Sequence, residues 1–312
     1  MKSTEIFRQC EYNAIQNRPL YNVTCAFHDS RHFFRMLYYL VDAFTNEPFK
    51  GNPAGVCIVD DYPPSFEMQK LSTYHNWSEI AFVKHLTENR FYIRWFSPAD
   101  EAPLCGHATL AAAHILFSRR MAPLNSIIFE YNSGIIGAVL NSDEFITLSF
   151  AVKPVYKCNN PPFSTKAILG IEKYVEILKD DLIYVIVLNS ADDIIRAMPN
   201  FDAIKEIESR AIAITSAGNG DFDFSSRYFA PRVGIYEDPV CGSMHCRLAY
   251  YWKSILGKSK FRAFQASRRT GTLNIEIVED IVKITGSAVT IGTFKNYHTK
   301  YPAPLFTHSA HL

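Results

Sequence analysis

Two ten-residue stretches of this chain repeat one polar pattern. Glu237-Asp238-Pro239-Val240-Cys241-Gly242-Ser243-Met244-His245-Cys246 sets two carboxyls, a thiol, a glycine and a hydroxyl ahead of a helical pattern that runs to Trp252. Glu101-Ala102-Pro103-Leu104-Cys105-Gly106-His107-Ala108-Thr109-Leu110 carries the same Glu-x-Pro-x-Cys-Gly skeleton, again before a helical pattern. The repeat suggests a duplicated unit with a site between two similar halves. The first turn of a helix presents unpaired N–H groups and the positive end of the macrodipole, which stabilise anions such as carboxylates. Gly106 and Gly242 leave out the side chain where a ligand would come closest. Ser243 or Asp238 could instead simply cap its helix, worth ~1 kcal/mol. Two matched starts point to an anion site.

Three other sets of groups could do chemistry. Ser78-Glu79 stands where a helix gives way to the apolar run Ile80-Ala81-Phe82-Val83. A carboxyl there can be poorly solvated, the setting in which carboxyls exchange protons near neutral pH. Taken alone, the local sequence favours a solvated strand end. Cys105, His107, Cys241, His245 and Cys246 are soft ligands, but the paired spacings of zinc sites are missing and no metal is expected. Cys105 and Cys241 hold matched positions just before the helix starts, where a thiol is acidified, so a pair of thiol bases is a rival mechanism. His75 and His114 read as core or surface histidines, Cys57 and Cys246 as small core residues.

The elements that must position these groups are short and mixed. Strands are expected at 37–43, 54–59, 79–84, 90–96, 126–131, 135–140 and 145–150, with helices at 65–75 and 106–117. The second helix is apolar all round and therefore buried. Residues 153–162, with three prolines and Asn159-Asn160, form the best linker. Beyond it helices are expected at 164–178, 200–209 and 243–256, and strands at 182–188, 211–215, 260–266, 272–278, 281–285 and 288–292. The tail after Phe294 is expected to fray. Residues 1–35 read as an extension of unclear order ahead of a unit that opens at Met36. The pattern is α+β: two strand-rich shells, each around one helix, rather than alternating β-α-β units.

Composition narrows the partners. A net charge of +1 over 312 residues advertises neither nucleic acid nor an anionic membrane. No apolar run reaches the roughly 20 residues that span a bilayer. Seven cysteines, an odd number without C-x-x-C pairs, suggest reduced thiols in a cytoplasmic setting. The sequons at Asn22 and Asn76 read as chance, since no secretory signal precedes them.

The remaining motifs spell a family. Val41-Asp42-Ala43-Phe44-Thr45 is followed by Pro48-Phe49-x-Gly51-Asn52-Pro53-Ala54, Asn76-x-Ser78-Glu79, Phe96-Ser97-Pro98 and Gly106-His107-Ala108-Thr109. Tyr228-Phe229-Ala230-Pro231, the second decapeptide and Gln265-x-Ser267-x-Arg269-x-Gly271 complete the series. In that order the chain resembles the phenazine-biosynthesis-type (PhzF-like) isomerases over about residues 36–294. The resemblance implies a diaminopimelate-epimerase-like fold of two pseudo-symmetric domains, each a β-barrel-like sheet around a central helix, with the active site in the cleft. In this chain the domains would be 36–152, joined by 286–300, and 153–285, with a tail at 301–312. It implies a cofactor-independent isomerase that moves a proton within a small carboxylate-bearing metabolite, and a homodimer. Glu79 becomes the general acid/base, reversing the local reading. His107, Asp238 and Ser243 become orienting groups, and Gly106 and Gly242 offer backbone N–H groups to the substrate carboxylate. Ser78 or Glu79 stands where the resembling two-thiol epimerases carry their first cysteine, which disfavours the thiol mechanism. A non-catalytic binding protein on the same fold is the other alternative. Trp77 and Met244 replace smaller residues and are expected to reshape the pocket.

Overall fold

A computed structural model describes residues 34–298, with side chains at 37–294. The expectations for 1–33 and 301–312 lie outside these residues. Arg35–Tyr297 form one compact body, a mixed α+β structure dominated by strands.

Strand pairing follows one scheme twice. In the first half β1 (Phe34–Ala43) pairs antiparallel with β2 (Asn52–Val59), which runs parallel to β3 (Glu79–Thr87). β3 is antiparallel to β4 (Arg90–Phe96), and the two-residue β5 (Glu101–Ala102) lies on β4. β4 is parallel to β6 (Ser126–Tyr131), followed by antiparallel β7 (Gly134–Leu140) and β8 (Ile146–Ala151). The second half opens with β9 (Tyr156–Lys157) on β10 (Glu176–Lys179). β10, β11 (Ile183–Val187), β12 (Ala211–Ala217), β13 (Phe224–Phe229), β14 (Lys260–Gln265), β15 (Gly271–Val278) and β16 (Ile281–Gly286) then repeat the same succession of antiparallel and parallel pairings. β16 pairs with β8, and β17 (Ala288–His298) returns beside β1.

The parallel pairings correct one expectation: helices do bridge parallel strands. α1 (Ser65–His75) joins β2 to β3, and α2 (Gly106–Ser118) lies between β4 and β6. α3 (Thr165–Leu169) precedes β10, α4 (Ala191–Arg196) and α5 (Phe201–Lys205) join β11 to β12, and α6 (Gly242–Leu256) joins β13 to β14. A parallel pair needs a crossover, and a helix is the usual one.

The long helices are the centres of the core. α2 is enclosed because ten of its thirteen residues are buried, five of them alanines or glycine slim enough to sit close to β2 and β3. α6 buries Met244, Leu248 and Trp252, and the Trp252 indole N–H donates to Thr215 Oγ1 at 3.0 Å. The two helices touch each other.

Local predictions fail where short elements crowd. The helix expected over 164–178 stops at Leu169, because Gly170 takes a left-handed C-cap (φ 69°), and 176–179 pair as a strand instead. The helix expected over 200–209 ends at Lys205. α4, capped by Ser190 accepting from the Asp193 N–H, and β13 were not anticipated. The linker holds β9, and β17 continues to His298 rather than fraying, held against β1. Among the described residues no helix is long and apolar enough to cross a membrane.

Candidate active site

The repeated decapeptides meet. Ideal Cβ atoms on Gly106 and Gly242 would lie 3.5 and 3.7 Å from the opposite glycine's Cα. The missing side chains therefore make room for the other helix as well as for a ligand. The N-cap residues are Cys105 and Cys241, and neither helix start has a side-chain cap. So neither Asp238 nor Ser243 serves as a cap.

The skeleton's glutamates turn out to be structural. Glu101 takes a two-pronged bond from Arg94 (2.8 and 2.7 Å) and Glu237 one from Arg227 (2.6 and 3.2 Å). Such forks fix geometry as well as adding energy. Each is half-buried and stands at the same place in its half, where the chain leaves β4 or β13 for the long helix.

A cavity of about 60 Å³ opens at the helix starts, and Glu79, Gly106, His107, Asp238, Gly242 and Ser243 all line it. Drug-sized pockets run to about 300–1,000 Å³, so this one suits a small metabolite. Glu79 enters from the first residue of β3, opposite Ala54 of β2. Its carboxylate oxygen Oε2 lies 3.1 Å from His107 Nε2, and the two side chains are 9% and 5% exposed. The contact is close but poorly aligned: Oε2 counts as buried without a proper hydrogen-bond donor. A donor seated in the cavity could satisfy that oxygen.

Burial alone would push the His107 imidazole down, yet its neighbours Cys105 and Glu79 hold it well above its usual range. Burial, then Glu79, pushes the Cys105 thiol up as well. Cys105 Sγ is 3.5 and 3.9 Å from the two imidazole nitrogens, too even for a linear hydrogen bond to either. Glu79, Cys105 and His107 bring three donor atoms within 4.8 Å of one another. That is one donor short of a four-ligand structural zinc set. Cys241 is raised further, by burial and then by Asp238.

Asp238 is held from both halves. Asn52 Nδ2 donates to Asp238 Oδ1 at 2.7 Å and to the Val240 carbonyl at 3.0 Å, and the Val240 N–H donates to the same Oδ1. Gln265 donates to the Asp238 carbonyl and accepts from the Cys241 N–H. Burial pushes Asp238 up to about 6, against the pull of His107 and with the help of Glu79. Folded Asp238 thus keeps a proton that the unfolded chain loses near 3.8. Its contribution to stability is full below the unfolded value and lost as pH rises through about 6. Asp238→Asn is expected to remove that dependence. Between pH 4.5 and 7.5 the wild type should lose about 2 kcal/mol relative to the variant in urea titrations, and parallel stability curves would contradict it.

Several residues lie elsewhere than expected. His245 is fully buried, donates from Nδ1 to the Cys241 carbonyl at 2.8 Å and is pushed down to about 4 by burial. It is a neutral core residue. Trp77 stacks on His75 (4.4 Å between ring centroids) and packs against Gly55, and Met244 is wholly in the core. Neither lines the cavity, so neither reshapes it by contact. Conversely, Arg210, Leu104, Val233 and Ile235 line it and went unnoticed as site residues, and Tyr228 was noticed only as a motif letter.

A buried acid, an imidazole held above its usual range and two uncapped helix starts surround one small cavity. The chain belongs to the phenazine biosynthesis-like protein family, whose sequence profile matches residues 41–293. It is 41% identical to an uncharacterized isomerase of Halalkalibacterium halodurans, covering 81% of this chain and 95% of that one. It is 35% identical to phenazine biosynthesis-like domain-containing protein 1 of Mus musculus, covering 81% and 96%. The crystal structure of a PhzF-family protein of Enterococcus faecalis superposes with a TM-score of 0.80 at 34% identity, covering 85% of this chain and all of the other.

Proposed function

We propose that this isomerase moves a proton between carbons of a small carboxylate-bearing metabolite, with Glu79 as the general acid/base and no cofactor. The observation that carries the reading is the buried pair of Glu79 and His107, 3.1 Å apart in a cavity that Asp238 and Ser243 also line. Removing a proton from carbon leaves negative charge that must be held where it forms. The N–H groups at the starts of α2 and α6 take the substrate carboxylate, and protonated His107 offsets charge developing beside Glu79. Asp238 and Ser243 orient the substrate so that the proton leaves and returns on chosen atoms. Geometry of this kind turns a two-body encounter into a one-body step. The test is a screen of small carboxylic acids for deuterium uptake from D₂O. Uptake into some acid supports the reading, and none into any member of a broad set counts against it.

A two-thiol epimerase is the alternative raised by the position of Cys105 and Cys241. Thiolate is the reactive form, and burial pushes both thiols up. Native protein at pH 7.5 is therefore expected to resist iodoacetamide at both cysteines, and the double alanine variant to keep deuterium exchange within about tenfold of wild type. Rapid labelling that substrate blocks, together with loss of exchange in the double variant, would reinstate the thiol mechanism.

A further inference from the structure

The repeated pairing scheme gives Glu79 a counterpart. β3 and β12 are equivalent strands: each runs parallel to its predecessor and antiparallel to its successor. Glu79 is the first residue of β3, and Arg210 immediately precedes β12, tied there by its N–H donating to the Leu182 carbonyl at 2.8 Å. Both side chains reach the same cavity. One half delivers a carboxylate to it, the other a guanidinium.

Among the described residues the side chain of Arg210 makes no hydrogen bond or ion pair, although Asp238 lines the same cavity. Four other arginines of the second half are committed, Arg227 to Glu237, Arg232 to the Ile207 carbonyl, Arg247 to Asp180 and Arg269 to Asp42; Arg268, like Arg210, has no such partner among the described residues, but it does not line the cavity. The Tyr228 hydroxyl is similarly placed. Tyr228 is 6% exposed, lines the cavity, and its phenol oxygen has no hydrogen-bond partner among the described residues. Arg210 lies near enough to pull the phenol down against a burial that pushes it up. A hydroxyl on a buried ring and a five-donor fork, both without side-chain partners among the described residues and lining one small cavity, match a carboxylate or similar planar anion.

We propose that Arg210 and the Tyr228 hydroxyl form a second anion subsite, so that the substrate carries two acidic groups, one at the paired helix starts and one at Arg210. The inference rests on the proton-transfer reading only for the role of the first anion. The small cavity favours a short diacid, and apolar Val233 and Ile235 in its lining suit the carbon chain between the ends. Arg210 is then a specificity-determining residue, whereas Glu79 does the chemistry.

Isothermal titration tests it with malonate, succinate, glutarate and adipate, each against its half-amide, at low salt. At least one diacid is expected to bind about tenfold to a hundredfold more tightly than its half-amide, the advantage of a charged bidentate partner over a neutral one. Arg210→Gln should bring that pair within about twofold while half-amide binding stays unchanged, and Arg210→Lys should keep part of the preference as a point charge. Equal affinities in every pair, no binding by any diacid, or a preference that survives Arg210→Gln would overturn the subsite. Glu79→Gln separates the two readings. It should keep the diacid preference while losing deuterium exchange, so unimpaired exchange in that variant would sink the proton shuttle and leave the subsite standing.

Discussion

Glu79→Gln is expected to fold and to lower turnover about a hundred- to ten-thousandfold, the usual worth of a placed acid/base group. The amide keeps the shape of the carboxyl and its seat at the head of β3, so the cavity wall stays intact. It cannot take up or release the proton. Breaking a buried ion pair from one side commonly costs about 3–5 kcal/mol because the other charge is stranded. Here His107 has a way out: without the carboxylate, burial favours its neutral form, and the imidazole can shed its proton. The variant's melting temperature should therefore stay near that of the wild type at pH 8. The His107 imidazole, followed by NMR, should titrate lower than in the wild type. A Glu79→Gln protein that exchanges deuterium at the wild-type rate would end the assignment. One that unfolds would be replaced by Glu79→Asp, which retains an acid but withdraws it from the substrate.

Much of the site was legible because its residues sit at chain punctuation. Cys-Gly before an apolar helix marks a helix start wherever it occurs, and two such starts imply each other. The long helices, and nearly every strand of the first half, follow from apolar runs bounded by Gly, Pro and Asn. The missing elements are those whose local pattern is outvoted by neighbours. The run 170–178 carries helical spacing, yet Gly170 ends the helix and β11 recruits 176–179 as a strand. β13 reads Phe-Ser-Ser-Arg-Tyr-Phe, with polar residues in its middle that a buried strand would not predict. They are buried because Ser226 faces His245 and Arg227 forks to Glu237. Losing β13 hid the second parallel pair, and with it the equivalence of β3 and β12 that singles out Arg210. No motif surrounds Arg210. Its signal is topological, readable only once the pairings are known. The mistaken roles of Trp77 and Met244 have the same origin: adjacency in sequence to a site residue says nothing about which side of the backbone a neighbour faces.

Gly51→Ala is expected to destabilise the protein by about 3 kcal/mol, a sum of left-handed backbone cost and a clash that the surroundings cannot relieve. Gly51 ends the loop between β1 and β2 with φ 62°, where an L side chain is strained in any case. Its Cβ would land on the Ala43 carbonyl oxygen, a backbone atom fixed in β1, and 2.7 Å from Thr45 Cγ2. The loop is also a clasp between the halves. The Gly51 N–H donates to the Thr270 carbonyl at 3.0 Å, and the Gly51 carbonyl accepts from Arg269 Nε at 2.9 Å. Arg269 also pairs with Asp42 at 2.8 Å. The next residue, Asn52, holds Asp238 at 2.7 Å. Displacing Gly51 therefore moves the donor that fixes Asp238, and the damage reaches the cavity. For a body of this size about 3 kcal/mol corresponds to a fall of roughly 6–12 °C in melting temperature. Deuterium exchange at 20 °C, where the variant is still folded, should drop about tenfold or more, since small misplacements of orienting groups are costly. Gly220→Ala is the control. That glycine has the same φ of 62° and nothing within 4 Å of its added Cβ, so it carries the backbone cost without the clash. A fall in melting temperature equal in the two variants would show that strain alone accounts for Gly51, and that the clasp on Asp238 is not coupled to it.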